Sequence, residues 1–84
     1  MYAIEFSVTA FRQFKKLGKD VQDRILNSLD RIKIKPFNHV TKVVGDPSYR
    51  LRVGDYRVLM DIDQGKLCIL VIKIGHRSNI YSKF

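Results

Sequence analysis

Arg50, Arg52 and Arg57 fall within SYRLRVGDYRVLM, residues 48–60, on either side of a Gly54-Asp55 pair. A Gly-Asp dipeptide between alternating apolar residues predicts a two-residue hairpin loop. The pairing that follows sets Val53 against Tyr56, Arg52 against Arg57, Leu51 against Val58 and Arg50 against Leu59. Like charges directly opposed across a sheet cost some tenths of a kcal/mol, up to about 1. A hairpin that accepts this cost has a use for concentrated positive charge, most simply a bound anion. Guanidinium keeps its charge and offers planar, bidentate donors to phosphate, so several arginines among apolar side chains suit a nucleic-acid backbone. For any single arginine of a small basic protein a solvated surface position is the ordinary alternative, and clustering on one sheet face weighs against it.

A second polar group stands in KIGHRSNIY, residues 73–81. Gly75 permits a bend or bulge at the end of an apolar strand. His76 carries an imidazole and Tyr81 a phenol, so either suits proton transfer or base stacking. The plainer alternatives are a strand-end surface residue for His76 and packing of the tail on the sheet edge for Tyr81. His39, in KPFNHVTKVVGDP, is assigned no role. Two histidines without carboxylate or thiol partners give no metal-ligand set, and no cofactor is expected.

The elements that must position these residues are legible in order. Met1 to Ser7 alternates Tyr2, Ile4 and Phe6 as a strand does, and Ser7 or Thr9 is placed to cap a helix. Val8, Phe11, Phe14 and Leu17 share a helical stripe that ends at Gly18, with Lys15 and Lys16 in the last turn. Asp20 is the expected N-cap of a second helix striped by Val21, Ile25, Leu29 and Ile32, with Arg24, Asn27, Arg31 and Lys35 outside the stripe, and Pro36 stops it. So short a connection makes an antiparallel helix pair.

The rest of the chain predicts an antiparallel meander: the hairpin, then LCILVIKI (67–74) after a three-residue turn Asp63-Gln64-Gly65 with Gly65 left-handed. Alternation then puts Tyr56, Val58, Met60, Ile62, Cys68, Leu70, Ile72 and Ile74 on one face for the helices to cover. Arg50, Arg52, Arg57 and Lys73 take the other, with Leu59, Asp61 and Val71 between them and Arg77 beyond. The expected fold is α+β: an antiparallel sheet of the N-terminal strand plus a three-stranded C-terminal meander, with an N-terminal αα-hairpin packed on one face. The first strand belongs at an edge or beside strand two.

Eighty-four residues at 45% hydrophobic content, with four tyrosines and five phenylalanines, make a single domain over residues 1–84 with one core. A formal net charge of +8 and a pI near 9.9 point to a polyanion or an acidic protein as partner. Cys68 is the single cysteine and sits in an apolar run, which fits a reducing compartment. MYAIEFSV lacks the basic and apolar regions of a signal peptide, and no apolar run approaches membrane-spanning length; a cytoplasmic protein is expected.

The order of strand, helix pair and meander, with YRLRVGDYRVLMDI followed by VIKIGHRSNIY, resembles the RelE/ParE toxin family across essentially the whole chain. The resemblance implies a toxin of a type II toxin–antitoxin pair, neutralised by an acidic, RelB-like antitoxin that wraps it in a hetero-oligomer. In the RelE branch it implies cleavage of mRNA in the ribosomal A site, where a ribose 2′-hydroxyl attacks its own phosphate and leaves a 2′,3′-cyclic phosphate. Carried over by position, Arg57 and Arg77 match the arginines that grip the transferring phosphate. Tyr81 matches the aromatic that stacks on the message base, and Arg50 and Arg52 match basic positions near the scissile bond. Lys42, with Lys15, Lys16, Lys19, Lys33 and Lys35, is a screened phosphate contact for ribosomal RNA or an ordinary solvated charge.

Several family members carry Lys where this chain has Arg50 and Arg52, and arginine cannot serve as a general base. Lys73 is the candidate substitute base. Val44 stands where some members have a basic residue, and Tyr81 follows Arg77 after only three residues. The alternative is the ParE branch, which shares the fold and poisons DNA gyrase by binding. Arg57, Arg77 and Tyr81 occurring together with a basic second strand favours the ribonuclease branch.

Overall fold

The computed structural model describes residues 1–78. Chain order is β1 (Ala3–Phe6), α1 (Val8–Lys15), α2 (Lys19–Ile32), a 3-10 turn (Pro36–Asn38), β2 (Thr41–Lys42), β3 (Tyr49–Val53), β4 (Tyr56–Asp63) and β5 (Cys68–His76). Five strands form one sheet in the order β1-β5-β4-β3-β2. The expected α+β fold is borne out, and the β3-β4-β5 meander is antiparallel as expected. The sheet is mixed, however, because β1 lies at the edge and runs parallel to β5, with Ala3 opposite Cys68 and Phe6 opposite Val71. Among the described residues no helix is long and apolar enough to cross a membrane.

Ser7 decides how the chain leaves β1. Its hydroxyl accepts from the Ala10 N–H at 3.0 Å and caps α1, while it donates to the Ile72 carbonyl at 3.2 Å. α2 begins two residues earlier than expected: Gly18 is the N-cap, and Asp20 lies in the first turn, where its charge suits the helix dipole. The helix ends at Ile32 rather than running on to Pro36, which opens the 3-10 turn. Ile25, Leu29 and Ile32 are buried along its stripe and meet Leu51, Val53, Val58, Met60, Ile69, Val71 and Ile74 from the sheet. Phe6 and Phe14 close one end edge-to-face at 5.5 Å.

The faces of the sheet differ from simple alternation. Leu59 pairs with Lys73, but the next residue, Met60, pairs with Val71, so Ile72 is an extra residue in β5. A bulge of this kind reverses side-chain parity in everything beyond it. Ile69 and Val71 therefore enter the core, and Cys68 and Leu70 turn to the other face, opposite to expectation. The loop before β5 has four residues, Gln64 to Leu67, and its left-handed residue is Leu67 (φ 51°), not Gly65. Asp63 Oδ1 holds that loop by accepting from the Lys66 N–H at 3.0 Å. Where β1 stops, the open edge of β5 is completed by side chains: Ile74 N–H donates to Gln13 Oε1 at 2.7 Å.

Candidate nucleic-acid interface

The hairpin turn organises the basic end of the second face. Gly54 has φ 57° and Asp55 does not share it, as in a type II′ turn, and the predicted register is met: Val53 faces Tyr56 and Arg52 faces Arg57. Arg57 Nη1 donates to the Gly54 carbonyl at 3.0 Å and to the Tyr56 carbonyl at 2.9 Å. These bonds fix the guanidinium before any ligand arrives. Gly75 lies opposite Arg57 on β5 and adds no side chain beside it. Arg77 is tied to the same turn: its N–H donates to the Asp55 carbonyl at 2.7 Å, and its Nε lies 3.8 Å from Asp55 Oδ1. That ion pair is long and exposed, so it orients more than it stabilises.

A Cβ at Gly54 would stand 2.5 Å from Arg24 Nη2, and the positive φ penalises any L side chain. Arg24 is the end of a flexible chain and moves aside, so the backbone term remains. Gly54→Ala is expected to lower stability by about 1 kcal/mol, read as a lower urea midpoint. An unchanged midpoint would contradict the turn described here.

β2 supplies the wall of the site. Thr41 pairs with Arg50, and two residues earlier His39 ends the 3-10 turn and lines the same cleft as Arg52, which itself faces Arg57. His39 follows the 3-10 turn, its N–H bonded to the Pro36 carbonyl at 3.0 Å. The result is a cleft of about 270 Å³ lined by His39, Thr41, Arg50, Arg52 and Arg57. Among the described residues no carboxylate lines it, and Arg50 and Arg57 are half-buried while Arg52 is exposed. Beside it Leu59, fully buried yet apart from the main core, lies between Arg50 and Lys73. Three guanidinium groups around one concavity suit a phosphodiester.

The other candidates are placed differently. Lys73 continues the row past Leu59. His76 pairs with Tyr56, whose ring it meets edge-on at 5.5 Å, and alternation puts both on the face away from Arg57. Its Nδ1 accepts from the Ser78 N–H at 3.2 Å and lies 2.8 Å from Ser78 Oγ. Lys42, opposite Tyr49, also has the parity of the helix-covered face; its Nζ lies over the Tyr49 ring at 5.3 Å and donates to the Asp46 carbonyl at 2.9 Å. Tyr81 lies outside the described residues. His39 is the site residue that sequence reasoning passed over. A short strand at Thr41–Lys42, ending a polar loop opposite an arginine strand, was the available signal.

The far end of this face is acidic rather than basic, a consequence of the bulge. Glu5, Asp61, Asp63, Lys66, Cys68 and Leu70 line a second concavity of about 360 Å³. Cys68 Sγ donates to Glu5 Oε2 at 3.0 Å, and that hydrogen bond, with burial and the nearby Glu5 and Asp63 charges, holds the thiol pKa above its ordinary 9.0. A raised thiol pKa contributes stability at neutral pH that is lost as pH rises past the unfolded value. Glu5→Gln is expected to speed alkylation of Cys68 at mildly alkaline pH, because less thiolate is suppressed. An unchanged iodoacetamide rate would contradict that cause. For a polyanion, the arginine end attracts and the carboxylate end repels, so the face has a direction.

Comparison with known proteins gives this arrangement a context. Residues 4–81 match the family described as ParE toxin of type II toxin–antitoxin system, parDE. The chain is 28% identical over 87 residues to the mRNA interferase toxin RelE of Escherichia coli K12, covering 98% of this chain and 92% of that protein. The isolated E. coli RelE toxin superposes with a TM-score of 0.79 at 26% identity, over 99% of this chain and 94% of that one. The toxin of the intact E. coli RelBE toxin–antitoxin complex superposes with a TM-score of 0.77 at 26% identity, over 90% and 96% of the two chains.

Proposed function

Because the chain belongs to the ParE toxin family of type II toxin–antitoxin systems, we propose that it is an mRNA endoribonuclease acting in the cytoplasm on ribosome-bound message. The observation that carries this reading is the cleft in which Arg50, Arg52 and Arg57 meet. In the proposed reaction a ribose 2′-oxygen attacks the adjacent phosphorus in the A site, the bond to the 5′-oxygen breaks, and a 2′,3′-cyclic phosphate remains. Charge gathers on the non-bridging oxygens during that step. Fixed guanidinium groups that need no reorganisation then lower the barrier most. Arg57, braced on the Gly54 and Tyr56 carbonyls, takes the phosphate; Arg77, attached to the same turn, approaches from the β5 side.

Arg50, Arg52 and Lys73 hold the flanking backbone, and Tyr81 stacks on a message base in this reading. The ribosome supplies the bent message and completes the site. An acidic, RelB-like antitoxin forms a hetero-oligomer with the toxin and covers the arginines, as RelB assembles with RelE in the solved complex. The second reading, a gyrase poison, is favoured by the match to the ParE toxin family alone. Pulse labelling after induction separates the two. Loss of methionine incorporation before any change in thymidine incorporation supports the ribonuclease; early arrest of DNA synthesis with continued translation supports gyrase.

A further inference from the structure

Transfer of a 2′-hydroxyl proton needs an acceptor, and among the described residues that line the cleft three of the five are arginines, which cannot supply one. Thr41 has no acid–base chemistry in this range either. Imidazole is the side chain that ordinarily exchanges a proton near neutral pH. The geometry points to His39 as the general base of the cleft, a role that rests on the ribonuclease reading above. Its neighbours support the assignment. His39 closes the 3-10 turn and lines the same cleft as Arg52, which pairs with Arg57 across β3 and β4, so base, anchor and phosphate clamp share one concavity. Among the described residues, the charged groups that line the cleft with it are Arg50 and Arg52 from β3 and Arg57 from β4, all cationic. His76 is removed from this work by its position opposite Tyr56 and its contact with Ser78.

The step balances without a cofactor. Neutral His39 accepts the 2′-hydroxyl proton as the 2′-oxygen forms its bond to phosphorus. The P–O5′ bond breaks with its electron pair on the 5′-oxygen, which takes a proton from solvent water. The imidazolium then returns its proton to solvent. The products are a 2′,3′-cyclic phosphate and a 5′-hydroxyl, and nothing is oxidised or reduced.

The test is single-turnover cleavage of message on programmed ribosomes by the wild type, His39→Gln, His39→Ala and Lys73→Gln, across about pH 5.5 to 8.5. His39→Gln is expected to cut at least about 100-fold more slowly with ribosome occupancy unchanged. The wild-type rate should fall on the acid side, and the variant should lose that limb. Added imidazole should restore part of the rate to His39→Ala, an effect that lost packing would not produce. A His39→Gln protein within about two-fold of wild type at every pH, or an acid limb that disappears only in Lys73→Gln, overturns the assignment while leaving the ribonuclease intact. A wild type that cuts nothing overturns both.

Discussion

Arg57→Ala is expected to lose roughly 10²- to 10³-fold in cleavage rate, the usual cost of removing one preorganised donor from a developing oxyanion. The loss should appear in the chemical step. Arg50 and Arg52 still line the cleft, so occupancy of the ribosome should change far less than turnover. Stability should hardly move. Among the described residues Arg57 bonds to the Gly54 and Tyr56 carbonyls at a half-exposed turn, and removing neutral acceptors' partner there leaves them open to water. Single-turnover rates with a urea midpoint for the same protein check both halves. A variant that cuts normally, or that unfolds, contradicts this account of Arg57. Arg57→Lys should rescue little, because an ammonium is a point charge that cannot span two carbonyls and a phosphate in one plane.

The second large effect lies in the core. Leu29 is 2% exposed on the stripe of α2 that meets the sheet. Leu29→Ala removes its buried methyl groups and leaves a cavity that the packed strands cannot fill, at a cost of about 2–5 kcal/mol. A domain of this length has only roughly 4–13 kcal/mol in total. The variant should therefore show a much lower urea midpoint and a partly unfolded population at 37 °C. A bound antitoxin should offset that loss by mass action, in contrast to Arg57→Ala, whose defect no partner repairs. A midpoint within about 1 kcal/mol of wild type would mean that α2 is not the main cover of the sheet.

How much of this was legible follows from the physics of each segment. Helical stripes repeat over several turns, so Val21, Ile25, Leu29 and Ile32 announce the buried face of α2 whatever the exact cap; Asp20 suits both an N-cap and a first-turn position, which hid the start at Gly18. The Gly54-Asp55 turn was readable because two-residue loops have narrow residue demands, and with it came the Arg52–Arg57 pair. The bulge at Ile72 was not readable. CILVI is apolar at every position, so parity carries no information there, and the exchange of Leu70 for Val71 in the core follows from pairing and from the Ser7 bond to the Ile72 carbonyl. The parallel seat of β1 is likewise set by distant partners.

The site divides in the same way. Arg50, Arg52 and Arg57 were visible as a cluster because one strand pair carries them. His39 joins them through a two-residue strand too short to leave a periodic signal, and Lys42 falls to the other face by the same alternation that brings Thr41 and Arg50 together. The acidic end of the second face, around Glu5, Asp61 and Asp63, depends on β1 and the bulge together.

The central claim is that this arginine cleft cuts ribosome-bound message, and mapping message ends tests it most directly. Purified protein is added to a translating extract, and primer extension locates the ends while the ribosome positions are fixed by a stalled codon. The account predicts cuts within the A-site codon, bearing a 2′,3′-cyclic phosphate and a 5′-hydroxyl, that vanish with Arg57→Ala. Intact message with unimpaired translation would contradict it, as would cuts that ignore where the ribosome stands.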